Sequence, residues 1–127
     1  MPIVAHVSET GPKSRNKFKA VVYHRTKSGR LEQLGTVRFG LKDAEDFTLT
    51  GDEAQRYRYL VRHGGVFPKK YEGDHKYLPT KSTREDWSRK GYLTAGWWSR
   101  HLLWAERTKK QAAETLRHKW MINVEFV

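Results

Sequence analysis

Hydrophobic and polar positions alternate along the first forty residues and then change period. Pro2 to Ser8 (PIVAHVS) predicts a short strand, and the following ETGPKSRNK, rich in turn formers and cations, reads as a flexible turn or arm. Lys17 to Arg25 (KFKAVVYHR) is dense in β-branched and aromatic residues. TKSGR at Thr26 to Arg30 supplies turn chemistry, and LEQLGTVRF continues to Phe39, so the spacing predicts a β-hairpin. In such a hairpin Phe18, Ala20 and Val22 share one face, while Lys17, Lys19, Val21 and Tyr23 share the other. One side can then be buried and the other left basic.

From Asp52 the period is helical. Asp52 and Glu53 open the segment, Ala54, Tyr57, Leu60 and Val61 recur at helical spacing, Arg62 and His63 close it, and Gly64 lies just beyond. Acid at the start and base at the end match the helix dipole. A second helix is expected from Thr94 as N-cap. Ala95, Trp98 and Leu102 form one stripe, Trp97 and Trp104 a neighbouring one, and Arg100 and His101 emerge on the remaining arc. Thr108 and Gln111 have capping-box spacing, and Ala112, Ala113, Leu116 and Trp120 continue a third helix. MINVEFV then alternates like a strand that could join the edge of the N-terminal sheet. The expected architecture is α+β: one domain over residues 1–127, with a small antiparallel sheet (N-terminal hairpin plus C-terminal strand) and about three helices packed on it. A basic loop insertion is expected at about residues 64–84, where Tyr71 and Tyr77 lie among Lys69, Lys70, Lys76 and Lys81. Either a stacking platform or an aromatic-anchored surface loop fits that segment.

Several words of the sequence carry a resemblance: FG at Phe39 and Gly40, DFT at Asp46 to Thr48, Asp52, RYLVRH at Arg58 to His63, EDW at Glu85 to Trp87, and TAGWWSRHLLW at Thr94 to Trp104. In this order they resemble a family of small, functionally uncharacterised proteins of large DNA viruses of algae and protists, with the hallmark RYxxRH, ExW and TAGFWSRWLLW. The matching words run from Phe39 to Trp104. It departs at Gly64 to Thr83, which reads as an insertion, and at His101, where the family pattern has Trp. It implies a viral context and no particular activity.

Charge adds a class of partner. Lys and Arg number 25 against 14 Asp and Glu, a formal net charge of +11. Residues 1–60 carry 11 cations against 7 acids, and residues 61–127 carry 14 against 7, so the excess is spread along the chain. A field of this sign attracts polyanions, nucleic acid above all, through release of condensed counterions. An acidic protein neighbour would answer the same charge. With 13% aromatic and 31% charged residues, the core must lean on its aromatic side chains. Cysteine is absent, which excludes disulfides and Cys-ligated zinc. No signal-like apolar stretch or membrane-spanning run occurs, so no membrane association and no secretion are expected; the expected location is a virion or the interior of a host cell, cytoplasm or nucleus.

Chemistry for an enzyme is sparse. Histidines 6, 24, 63, 75, 101 and 118 show no HExxH spacing, and neither a Gly-rich phosphate loop nor a GxSxG turn is present. Glu72, Asp74 and His75 read as a solvated charge group, and Asp43, Glu45 and Asp46 as an acidic turn. A non-enzymatic protein without a cofactor or metal is therefore expected. The leading expectation is binding of nucleic acid, DNA or RNA, by phosphate contacts from Arg56, Arg58, Arg62, Lys69, Lys70, Arg84, Arg89, Lys90 and Arg100. The alternative is a minor capsid or cement protein of a virus or phage particle, with a capsid or other virion protein as partner.

Overall fold

The alternation near the N-terminus becomes three antiparallel strands in a computed structural model that describes residues 2–127. Strand β1 (Ile3–Glu9) pairs with β2 (Asn16–Arg25), which pairs with β3 (Leu31–Leu41); Ala5 lies opposite Val22, and Phe18 opposite Phe39. The hairpin face expected to be buried is the core face: Ala20, Val22, Val37 and Phe39 are buried, and Phe18 packs against them. Lys19 and Arg38, directly opposed across the ladder, stand on the other face.

Strand β4 (Ile122–Phe126) joins the free side of β1, giving the order β3-β2-β1-β4. It runs parallel to β1, with Ile3 opposite Ile122, so the sheet is mixed where an all-antiparallel one was expected. Periodicity identifies a strand but not its direction. Here direction is set by the long excursion of residues 42–121 across the core face, which returns the chain at the end where β1 begins.

That excursion carries the helices. Asp46 caps a single turn, α1 (Phe47–Thr50), and Asp52 caps α2 (Glu53–Arg62) by accepting hydrogen bonds from the amides of Ala54 and Gln55. Helix α2 buries Arg56, Tyr59 and Leu60 and leaves Val61 exposed, so its inward stripe is rotated from the expected Ala54, Tyr57, Leu60 and Val61. The last helix, α4 (Lys109–Trp120), has the expected capping box between Thr108 and Gln111 and ends on Met121 in the left-handed conformation.

The tryptophan-rich segment deviates most from a regular helix. Thr94 caps α3 (Ala95–Trp98), accepting from the amide of Trp97, and the chain then widens into a π-helical turn (Ser99–Leu103). Its signature is the hydrogen bond from the amide of Trp104 to the carbonyl of Ser99, five residues back, at 3.0 Å. Trp97, Trp98 and residues 100–105 are all buried as a result. Trp97 and Trp98 meet edge to face at 4.9 Å, and Trp98 lies on Phe39. Arg100 and His101 therefore point inward, contrary to the expectation that they emerge on a solvent arc. The inside of the fold offers them carbonyl acceptors: Arg100 donates twice to Pro79, at 2.7 and 3.2 Å, and His101 donates through Nε2 to Trp87 at 2.9 Å.

Residues 64–84 form an ordered loop closed at its neck. The amide of Val66 donates to Lys81 and that of Thr83 to Gly64, both at 2.9 Å, around the bridge between Gly65 and Ser82. Inside the loop Tyr71 and Tyr77 stack on each other at 4.3 Å, Phe67 lies against Tyr77, and Lys70 sits over Tyr71. The two tyrosine faces are thus largely used within the loop, which favours the anchoring reading over the platform. Among the described residues, no helix is long and apolar enough to cross a membrane.

Arg100→Met should cost about 2–3 kcal/mol by removing charged donors from a buried carbonyl, and amide exchange in residues 72–82 should accelerate more than in the sheet. His101 is pushed down to about 3 from its ordinary 6.5 by burial, with the neighbouring Arg100 charge adding to the effect. Its folded value lies below the unfolded one, so the neutral ring stabilises the fold above pH 6.5. That stabilisation fades as pH falls from about 6.5 toward 3, by up to about 1.4 kcal/mol per pH unit. His101→Phe should show a shallower loss of urea stability over this range than the native chain.

Candidate functional site

Sequence words that are far apart in the chain meet at one cleft of about 400 Å³. Phe39 and Gly40 bring the end of β3, Asp46 the cap of α1, Tyr59 and His63 the last turn of α2, Glu85 the exit of the loop, and Gly96 the start of α3. The local sequence explains each placement. The αL turn at Gly40 (φ 73) lets Leu103 approach so closely that a Cβ at position 40 would stand 2.9 Å from its Cδ1. At Gly96 a Cβ would stand 2.6 Å from the Glu85 carboxyl carbon, so only glycine leaves room for that carboxylate.

Glu85 is held from two sides. It accepts from Trp87 Nε1 at 2.7 Å and from His63 Nδ1 at 3.0 Å. Ser82 sets the chain up for this: its hydroxyl donates to the carbonyl of His63 and accepts from the amides of Arg84 and Glu85. With Nδ1 donating to the carboxylate, His63 is left with Nε2 as its second hydrogen-bonding atom, on a side chain 36% exposed. The imidazole ring also stacks on Tyr59 at 4.1 Å, and Tyr59 stacks on Trp104 at 4.3 Å. Tyr59 is the middle of a three-ring stack that runs from the core to the cleft. Burial, and then the Glu85 charge, push its phenol well above the usual tyrosine range, so the hydroxyl stays protonated beside its hydrogen-bond partner Ser99. Elsewhere in the lining Lys17 donates to Asp46 at 2.9 Å, and Asp46 accepts from the amide of Thr48 at the same distance.

The nine expected phosphate-contacting residues fall into three groups. Arg58, Arg62, Lys69, Lys70, Arg84 and Lys90 are exposed, and among the described residues none has a carboxylate partner within 4 Å. Arg62 lines the cleft, Arg58 lies one turn earlier on α2, and the Arg84 side chain packs beside Gly64, next to His63. Lys69, Lys70 and Lys90 stand on other segments, outside the cleft. Arg89 is half-buried and donates to the carbonyl of Trp120 at 3.0 Å.

Arg56 and Arg100 lie inside, 7% and 3% exposed, and the surface role expected for them is corrected. Arg56 donates to the carbonyls of Ala105 at 2.6 Å and His75 at 3.1 Å, with its guanidinium 4.2 Å from the centre of the Phe47 ring. Burial lowers both guanidinium pKa values, that of Arg100 to about 10, and both stay charged at neutral pH. Lys17, Tyr59, His63, Glu85 and Trp104 were missed as site residues. RYLVRH and EDW were visible as words, but 22 positions separate His63 from Glu85, and no local spacing signals their contact.

No family model, curated protein or solved structure matches the chain. The site therefore stands on its own geometry. Gly96→Ala should lower stability by about 1–3 kcal/mol, because the clash with a carboxylate fixed by two donors outweighs the helix-propensity gain of at most about 1 kcal/mol. Two-dimensional NMR should show the His63 ring resonances shifting as Glu85 is displaced, while those of His118, on the exposed face of α4, stay in place.

Proposed function

We propose that the protein binds nucleic acid, preferentially single-stranded, by phosphate contacts without enzymatic activity. The observation that carries this reading is a group of exposed arginines free of carboxylate partners: Arg62 lines the cleft, Arg58 lies one turn earlier on the same helix, and Arg84 packs beside Gly64, next to the cleft residue His63. Arginines that stabilised only the fold would be bonded inward, as Arg56 and Arg100 are. Lys69, Lys70 and Lys90 extend the cationic surface, and the net charge of +11 supplies the long-range attraction. The cleft favours a single strand, whose bases are free to leave the stack, over a duplex, whose bases are paired. This activity fits a protein working on a genome inside a cell or a virus particle.

A second reading, a minor capsid or cement component, draws on the outer edge of β4. There Phe126 and Val127 are exposed at the open margin of the sheet, where a partner strand could pair.

Titration of a labelled random single strand from about 50 to 200 mM salt separates the two. If all six exposed cations neutralise phosphates, the slope of log affinity against log salt is about −4, and affinity falls a few hundredfold across that range. Arg58→Glu with Arg62→Glu should weaken binding and flatten the slope by about 1.4. Weak, salt-indifferent binding would overturn the nucleic-acid reading in favour of the structural one.

A further inference from the structure

The stacked rings of Trp104, Tyr59 and His63 all line the cleft, and His63 is the end member of the stack. Trp104 and Tyr59 are buried, whereas His63 is half-buried, and among the described residues no other aromatic ring lies on it. Its ring plane is fixed by the hydrogen bond to Glu85, so a flat group entering the cleft would meet an oriented aromatic face rather than a mobile one. The same lining includes the small or apolar residues Ala44, Ala95 and Leu41, the last 64% exposed.

Charge in the cleft is arranged in two zones. Its lining holds the acids Glu45, Asp46 and Glu85 against the cations Lys17 and Arg62, an acidic excess within a strongly basic chain. Asp46 and Glu85 are saturated by strong donors, but Glu45 accepts only a long contact of 3.4 Å from Gln55. A phosphate is therefore drawn to the exposed Arg62 of the lining, with Arg58 and Arg84 near it, rather than to the acids. What suits the interior is neutral, flat and able to donate to a carboxylate.

We infer that the cleft takes one unstacked nucleobase of the bound strand, with the base lying against His63 and its exocyclic amine donating to Glu45. This rests on the nucleic-acid reading above and adds to it a base preference. Adenine, cytosine and guanine carry the amine. In the pose that places the cytosine amine at Glu45, thymine and uracil turn O4 toward the carboxylate and must reorient to offer N3–H, so they are disfavoured. A volume of about 400 Å³ is that of an ordinary small-ligand site and admits a base with its sugar.

The test uses a short abasic DNA strand carrying one deoxycytidine, one thymidine or no base, with binding read by fluorescence anisotropy at about 50 mM salt. The full chain should bind the deoxycytidine strand about tenfold tighter than the base-free strand, within the range of one stacked base, and thymidine should add less. Ala95→Phe places a ring in the mouth of the cleft from an exposed position. It should erase the deoxycytidine advantage while leaving affinity for the base-free strand unchanged. Ala44→Trp, at another exposed lining position, should do the same, and thermal unfolding checks that either variant is folded. Glu45→Gln should narrow the gap between deoxycytidine and thymidine.

Equal affinity of the native chain for all three strands would overturn the inference while leaving phosphate binding intact, and the cleft would then belong to another class of occupant. Absence of binding to any strand would overturn both readings. An undiminished deoxycytidine preference in folded Ala95→Phe and Ala44→Trp would place the base elsewhere and sink the inference alone.

Discussion

Two guanidinium groups buried against backbone carbonyls are the constraint on which the rest of the structure depends. Taking an arginine out of water costs several kcal/mol, and the usual remedy is a carboxylate partner. Here the remedy is the backbone itself: Arg56 reaches Ala105 and His75, and Arg100 reaches Pro79. The dependence runs both ways. A loop running close to a core carries carbonyls that must find donors, and those of His75 and Pro79 receive them from α2 and from the π-helical turn. The arginines thereby hold residues 64–84 against the helical layer. That loop in turn delivers Ser82 and Glu85 to His63, so the geometry of the cleft is a consequence of where the two charges are buried.

The π-helical turn makes the second half of this arrangement possible. An α-helix presents about half its circumference to a core, and adjacent tryptophans on it would diverge. Widening the turn after Trp98 lets Trp97, Trp98, Arg100, His101, Leu102 and Leu103 all find buried surroundings. The indole nitrogens of Trp87, Trp97 and Trp98 all have acceptors, Glu85, Ser88 and Tyr92 respectively, so burying three large rings leaves none of these donors orphaned. A thin core built from aromatics is thereby made specific as well as apolar.

What was legible in the sequence is what local physics controls. The hairpin from Lys17 to Phe39 has its period and turn within one stretch, and Asp52, Thr94 and Thr108 cap the helices they precede. The direction of β4 was not legible, because a parallel neighbour is chosen by the path of the preceding eighty residues. The inward turn of Arg56 was partly legible. It precedes Tyr59, Leu60 and His63 by three, four and seven positions, a helical stripe hidden because a charged residue was not counted as part of it. Arg58, two residues later on the same helix, faces solvent. The two residues have the same chemistry and differ only in helical phase, so one is a structural clamp and the other a free cation.

That phase difference ties the fold to its charge. Helix α2 turns Arg56 toward the loop, Tyr59 toward Trp104, and Arg58 and Arg62 outward, so one ten-residue element supplies an internal clamp, a ring of the cleft and two exposed cations. A rotation of α2 by one residue would exchange these roles, burying a guanidinium with no carbonyl to meet and breaking the stack on His63. The hydrogen bond from Arg56 to Ala105 fixes that phase against the π-helical turn, and the caps at Asp52 and His63 fix the ends. The positions of the exposed arginines are therefore determined by the buried ones. The backbone that carries Arg62 and the cleft-lining rings is thus set from the interior, which would reduce the ordering cost of a ligand that contacts them.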